Sequence, residues 1–247
     1  MKLRSLRHSL VARLIGISLL LLLAVQLAGF VVVRASIERN ARAQITRELD
    51  TDVRVWRRLL EQKAERLRQG SALLAADYGF RSAVTSDDMA TIESALANHG
   101  ARIGAAVTAL LDTQLALRVV SGEAGMAQLP AALAQVVPAL ATDPAGSQIA
   151  VINGLPHQFV MVPLRAPLVI GWVLMGFPVG QPLADEMRQL LSADVAVRVG
   201  DGQGGFSVPV STLAPQAVEP LRAGGAQVNE LRLEGGDTLL VRASPLS

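Results

Sequence analysis

A run of twenty uncharged residues at positions 14–33, LIGISLLLLLAVQLAGFVVV, constrains this chain more than any other feature. A helix rises about 1.5 Å per residue, so the run spans about 30 Å, the thickness of a bilayer's hydrocarbon core. Residues 34–247 then become a domain tethered to a membrane. The competing reading is a cleaved secretory signal, with a basic flank, an apolar core of about 7–15 residues and a small-residue cleavage site. Lys2, Arg4, Arg7 and Arg13 supply the flank, and Val33-Arg34-Ala35 is a passable site. The run exceeds such a core and Arg34 interrupts the site, which favours an uncleaved anchor. Either reading sends the rest of the chain across the membrane.

Orientation rests on weaker signals. Arg34, Arg39, Arg42 and Arg47 follow the run closely, so the positive-inside count is near a tie. Long C-terminal domains translocate largely regardless of flanking charge. The expectation is a single span in the inner membrane, with residues 1–13 cytoplasmic and the bulk of the chain periplasmic. The chain has no cysteine, which permits that location without requiring it.

Charge and composition narrow the function classes. The net charge is only +2, and no Lys/Arg-rich block is interleaved with aromatics, so no nucleic-acid partner is expected. Much of the basic excess lies beside the apolar run, where anionic lipid head groups are the simplest partner. With three histidines and no cysteine, a metal site is not expected. No Ser/His/Asp order, paired carboxylates, P-loop or dinucleotide fingerprint stands out, so neither an enzyme nor a cofactor is expected. The GQGG at 202–205 reads first as a hairpin turn.

Beyond the anchor, Ile37, Ala41, Ile45, Leu49, Val53, Trp56, Leu60, Ala64 and Leu67 recur at steps of four and three, close to the helical period. No Gly or Pro interrupts 36–69. The pattern predicts a stalk helix over 34–69 whose distal half packs on its own domain and whose proximal half pairs with another copy. Gly70 is expected to end it, with a second helix at 71–84. Ser86-Asp87-Asp88 supplies N-cap chemistry for a third helix ending near Gly104. Strands follow at 106–111 and 115–120 around a turn at 112–114. A helix at 130–140 and strands at 149–152, 158–164 and 169–177 come next, with Asn153-Gly154 as a hairpin signal. Five strands with helices on one side make a first α+β unit over 70–179.

A second unit is expected over 180–247: a helix at 182–191, strands at 195–199 and 206–210, a short helix at 213–221, and strands at 228–233 and 238–242 around the Gly235-Gly236-Asp237 turn. It echoes the first unit but has four strands, and reads as incomplete, from a truncated product or a fragment. The fold class is therefore α+β: an anchor and stalk helix followed by two tandem units with antiparallel sheets.

The segment RRLLEQKAERLRQGSALLAADYGFRSAVTSDDMATIESALANHGARIGA (57–105), and above all LLAADYGFRSAV and TIESALANHGARIGA, resembles the double Cache sensor at the extracytoplasmic end of membrane-bound cyclic-di-GMP enzymes. VPLRAPLVIGWVLMGFPV is similar to the closing strands of a first Cache unit. Asp112-Thr-Gln-Leu stands where the family usually has a Gly-containing turn. The GGDEF and EAL domains that follow such sensors are absent, and Gly235-Gly236-Asp237-Thr238-Leu239 lacks the acidic residue of the former. The resemblance implies a small-molecule ligand in the first unit and a relay through the long helix to a cyclic-di-GMP-type output.

Two clusters are candidate ligand contacts. Tyr78, Phe80 and Arg81 combine aromatic walls with a guanidinium suited to a carboxylate. His99 and Arg102 end the third helix just before the first strand. Core packing of the two aromatics, a surface Arg81, a buried and hydrogen-bonded His99, and helix-end capping by His99 and Arg102 are the plainer alternatives. An alternative function is a ligand-free anchored dimer, marked by a first-unit pocket filled with large side chains.

Overall fold

The computed structural model describes residues 10–122, 129–191, 193–200, 205–223, 230–232 and 238–246. It divides into two compact units, residues 1–48 and 49–247. Helix α1, Leu10–Ala76, supplies residues to both.

In the first unit the apolar side chains of 14–33 are all exposed, and among the described residues α1 is the one helix long and apolar enough to cross a membrane. Past the apolar run, i,i+4 partners line the helix: Arg42 meets Glu38 at 3.2 Å and Gln44 donates to Glu48 at 3.0 Å.

In the second unit α1 turns amphipathic. Leu60, Ala64, Leu67, Ser71, Leu74 and Ala75 are buried, continuing the expected stripe. The helix does not stop at Gly70; it runs two turns further, and the expected break there is corrected. Glycine inside a helix costs about 1 kcal/mol relative to alanine. Here it admits a neighbour: a Cβ on Gly70 would stand 3.1 Å from Ile103, on the third helix. The chain turns instead at Asp77, which adopts extended backbone and accepts from Phe80 N at 2.7 Å as the N-cap of α2, Tyr78–Ser86. Asp87 closes α2 in the left-handed region, and Asp88 caps α3, Met89–Ile103, which ends on Gly104.

Strands β1 (Val107–Leu111), β2 (Leu117–Gly122), β3 (Gln148–Ile152), β4 (Leu155–Ala166) and β5 (Leu168–Pro178) form one antiparallel sheet in the order β2-β1-β5-β4-β3. Asn153 and Gly154, both at positive φ, make the tight β3–β4 turn foreseen from the sequence. Strand β2 begins later than expected because Asp112 Oδ1 accepts from both Gln114 N and Ala116 N at 2.8 Å, holding 112–116 as a turn.

Helices cover both faces of this sheet, correcting the expected one-sided arrangement. Side-chain alternation assigns the faces. Leu110, Val160, Val162, Leu164, Val173, Met175 and Phe177 join α1, α2 and α3 in one core. Val107, Ala109, Leu111, Phe159, Met161 and Leu174 join α4, Leu129–Thr142, in another. Helix α4 carries buried residues at 129, 132, 133, 136, 137 and 140, a stripe that needs a partner, and the strands' second set of side chains supplies it.

Helix α5 (Gln181–Leu190) follows, then β6 (Ala196–Gly200) paired with β7 (Phe206–Ser211), α6 (Pro215–Ala223), and β8 (Glu230–Arg232) paired with β9 (Thr238–Leu240). The two pairs are separate two-stranded sheets among the described residues. Leu183, Ala184, Val197 and Val210 belong to the same core as α1. The GQGG turn and the Gly235-Gly236-Asp237 turn fall, except for Gly205, outside the described residues.

Candidate functional site

The face of the five-stranded sheet covered by α1, α2 and α3 carries the predicted contacts, and it disperses them. Phe80 is 2% exposed and packs in the core with α1 and α3. Tyr78, two residues earlier at the start of α2, is 80% exposed. Arg81 is half-buried, and its guanidinium donates to the carbonyls of Asp77 and Arg165, both at 3.4 Å. His99 reaches the other way, with Nε2 2.7 Å from the Gly70 carbonyl. A carbonyl only accepts, so Nε2 carries the proton and donates. Arg102 is exposed in the last turn of α3, where a cation meets the negative end of the helix dipole. The five therefore divide between core packing, backbone tethers and surface; the structure does not gather them around one cavity.

Three hooks on this face are polar. His99 ties α3 to α1 through Gly70. Ser71, fully buried, donates to the Leu67 carbonyl at 2.8 Å. Asp87, at the end of α2, pairs with Arg118 of β2. A cleft of about 240 Å³ lies between α1 and the α4–β3 loop, lined by Glu61, Ala64, Glu65, Arg68, Ala145, Gly146 and Ser147. Arg68 closes across it, paired with Glu65 and donating to the Ala145 carbonyl. Behind Ser147, Gln158 is 3% exposed, donates to Ser147 Oγ at 2.8 Å, and leaves Oε1 without a partner.

The α4 face is different in kind. Its core is entirely aliphatic and aromatic: Leu129, Leu133, Val136, Val137 and Leu140 of α4 meet Phe159, Met161 and Leu174, with Trp172 at the margin. Among the described residues, one titratable residue enters this face. His157 of β4 is 5% exposed, two residues from Phe159 and on the same side of the strand. Its ring centroid is 6.4 Å from that of Phe159, and Nδ1 donates to the Leu155 carbonyl at 2.9 Å. Burial pushes its pKa below the ordinary value of 6.5, against the smaller opposing effect of that hydrogen bond. At the start of α3, Asp88 is exposed and its carboxyl is held below the usual range by the hydrogen bonds from Thr91.

Sequence reasoning singled out neither His157 nor Gln158. The available signal was their position inside LPHQFVMVPL: two polar residues at the start of a run too apolar to be solvent-facing. Among the described residues, no group of three or more His, Cys, Asp or Glu is placed to hold a metal ion.

The described residues combine a helix of membrane length with an antiparallel sheet that carries helices on both faces. The chain belongs to the double Cache family described as the double sensory domain of two-component sensor kinase, whose model matches residues 42–238. Its fold is similar to that of the periplasmic domain of LuxQ from Vibrio cholerae, with a TM-score of 0.51 and 13% identity, covering 75% of this chain and 91% of that one. No curated protein sequence matches it. The family model makes residues 42–238 a double sensory domain, and the solved structure adds the likeness of fold.

Proposed function

We propose that this module detects a chemical signal in its first Cache unit and relays it through α1 to a cytoplasmic output. The observation that carries the reading is the dual composition of α1. One helix holds the membrane-length apolar run and, from Leu60 to Ala75, a buried stripe in the core of the sensory sheet. A ligand that favours one packing of that core shifts the balance between two settings of the helix, by as much as its affinities for the two differ. In the same reading the protein sits in the inner membrane with its N-terminus inside. The arginines at 34, 39, 42 and 47 face anionic lipid, and Ile37 and Ile45, both exposed, contribute to pairing with a second copy. The output is of cyclic-di-GMP type, supported by the resemblance of 57–105; the family description supports a sensor kinase as the rival output. The module itself performs no catalysis.

The test is a titration of the full chain in lipid nanodiscs against a broad metabolite panel, following thermal stability and the spacing of spin labels at Ile45 in paired copies. A ligand that raises stability and changes the spacing supports the reading. A well-folded protein that responds to no member of the panel counts against it.

One observation favours a second reading. The core between α4 and the sheet is filled by large apolar side chains, as a ligand-free, anchored dimerisation module would have it. Native mass spectrometry of protein released gently from membranes separates the two: a retained small molecule favours sensing, and bare dimers favour the structural role.

A further inference from the structure

We propose that His157 makes the α4 side of the first Cache unit acid-responsive: a proton on its imidazole favours a state in which α4 and the β3–β4 hairpin are loosened from the sheet.

The geometry is that of a neutral imidazole with one nitrogen committed. Nδ1–H is held by the Leu155 carbonyl of its own strand, and the ring lies against Phe159 in a core with no other polar side chain from α4. A second proton would place a positive charge there with no compensating carboxylate among the described residues, and burying an unpaired charge is strongly unfavourable.

The charged groups on each neighbouring element support this. Helix α4 and strands β1, β3 and β5 carry none at all. Strand β4 adds only Arg165, exposed at its far end. Asp143, just past α4, turns its carboxylate onto Ala145 N at 3.2 Å. Arg118 of β2 is paired with Asp87, and β1 and β5 separate β2 from β4. Helix α5 packs in the other core; there Asp185 accepts from Gln181, Glu186 pairs with Lys63, and Arg188 pairs with Asp194. No carboxylate among the described residues is placed to compensate an imidazolium at position 157.

The sign follows from proton linkage. In a loosened or unfolded state His157 titrates near 6.5, and in the packed state lower. Between those values the loosened state binds more protons, so the packed state loses stability as the pH falls from 6.5 and stops losing it below the packed-state value. An extracytoplasmic domain is the part of a receptor that meets such a change. That physiological meaning rests on the sensory reading; the linkage itself does not, so the two fail separately.

The experiment is amide hydrogen exchange on the full chain in nanodiscs from pH 8 to 4.5, read at α4 and β3, for the wild type, His157→Phe and His157→Gln. In the wild type, relative to either variant, the opening constant should rise below pH 6.5 with a slope approaching tenfold per pH unit, the limit for one proton, and then level off. Equal pH profiles in wild type and variants overturn the proposal, since His99 is common to all three. If neither variant folds, the imidazole NMR titration of His157 in the wild type decides: a midpoint at or above 6.5 overturns the proposal, and one below it sustains it.

Discussion

The two faces of the five-stranded sheet are built by different means. The face shared by α1, α2 and α3 is stitched: Asp77 and Asp88 cap helices, His99 donates to Gly70, and Arg118 pairs with Asp87. The α4 face is filled: apart from His157 it has volume and no hooks. Directional hydrogen bonds fix where helices sit, whereas apolar filling fixes only that space is occupied. The stitched face therefore suits an element whose position carries information, and the filled face suits one that can repack when something enters or protonates it.

The largest test of this contrast is Phe159→Ala on the filled face. It removes a fully buried ring and the cover over Gly176, where a Cβ would stand 2.6 Å from that ring. A loss of about 3–5 kcal/mol is expected in urea unfolding, at the upper end if α4 cannot collapse into the space. Gly70→Leu on the stitched face forces a side chain against Ile103 and should cost about 1–3 kcal/mol. Pairing it with Ile103→Ala should recover part of that loss, which a purely local helix effect would not. Asp77→Ala removes one cap and should cost about 0.5–2 kcal/mol, visible as faster amide exchange in the first turn of α2 and nowhere on α4. The smallest effect is acid fraying at Asp88. Its folded carboxyl titrates below the ordinary 3.8, so its contribution is present above 3.8 and lost as the pH falls through the lower folded value. Exchange at Thr91 N should rise only in that acid window, and Asp88→Asn should flatten the profile. With His157 as proposed, acid loosens the filled face first, from 6.5 downward, and the stitched face only later.

Much of this arrangement was legible before the structure. The strands stood out as β-branched and aliphatic runs, Asn153-Gly154 marked the hairpin, and Asp88 and Gly104 bounded α3. Gly70 misled because local propensity treats glycine as a helix end, while the deciding factor is a contact with Ile103, thirty-three positions away. The candidate ligand contacts were less legible for a related reason. Tyr78, Phe80 and Arg81 are neighbours in sequence, but on a short helix they face outward, into the core and toward the β4–β5 turn. Proximity along a helix is not convergence.

By itself the sequence determined the membrane-length helix, the stripe that continues it, and the order of helices and strands, because each depends on periodicity and capping within one segment. Only the tertiary structure decided that α4 covers the opposite face from α1, that the helix passes through Gly70, and that His157 lies buried with no counter-charge among the described residues. Each of these depends on which distant surfaces meet, and an apolar stripe records that it must be covered without recording by what.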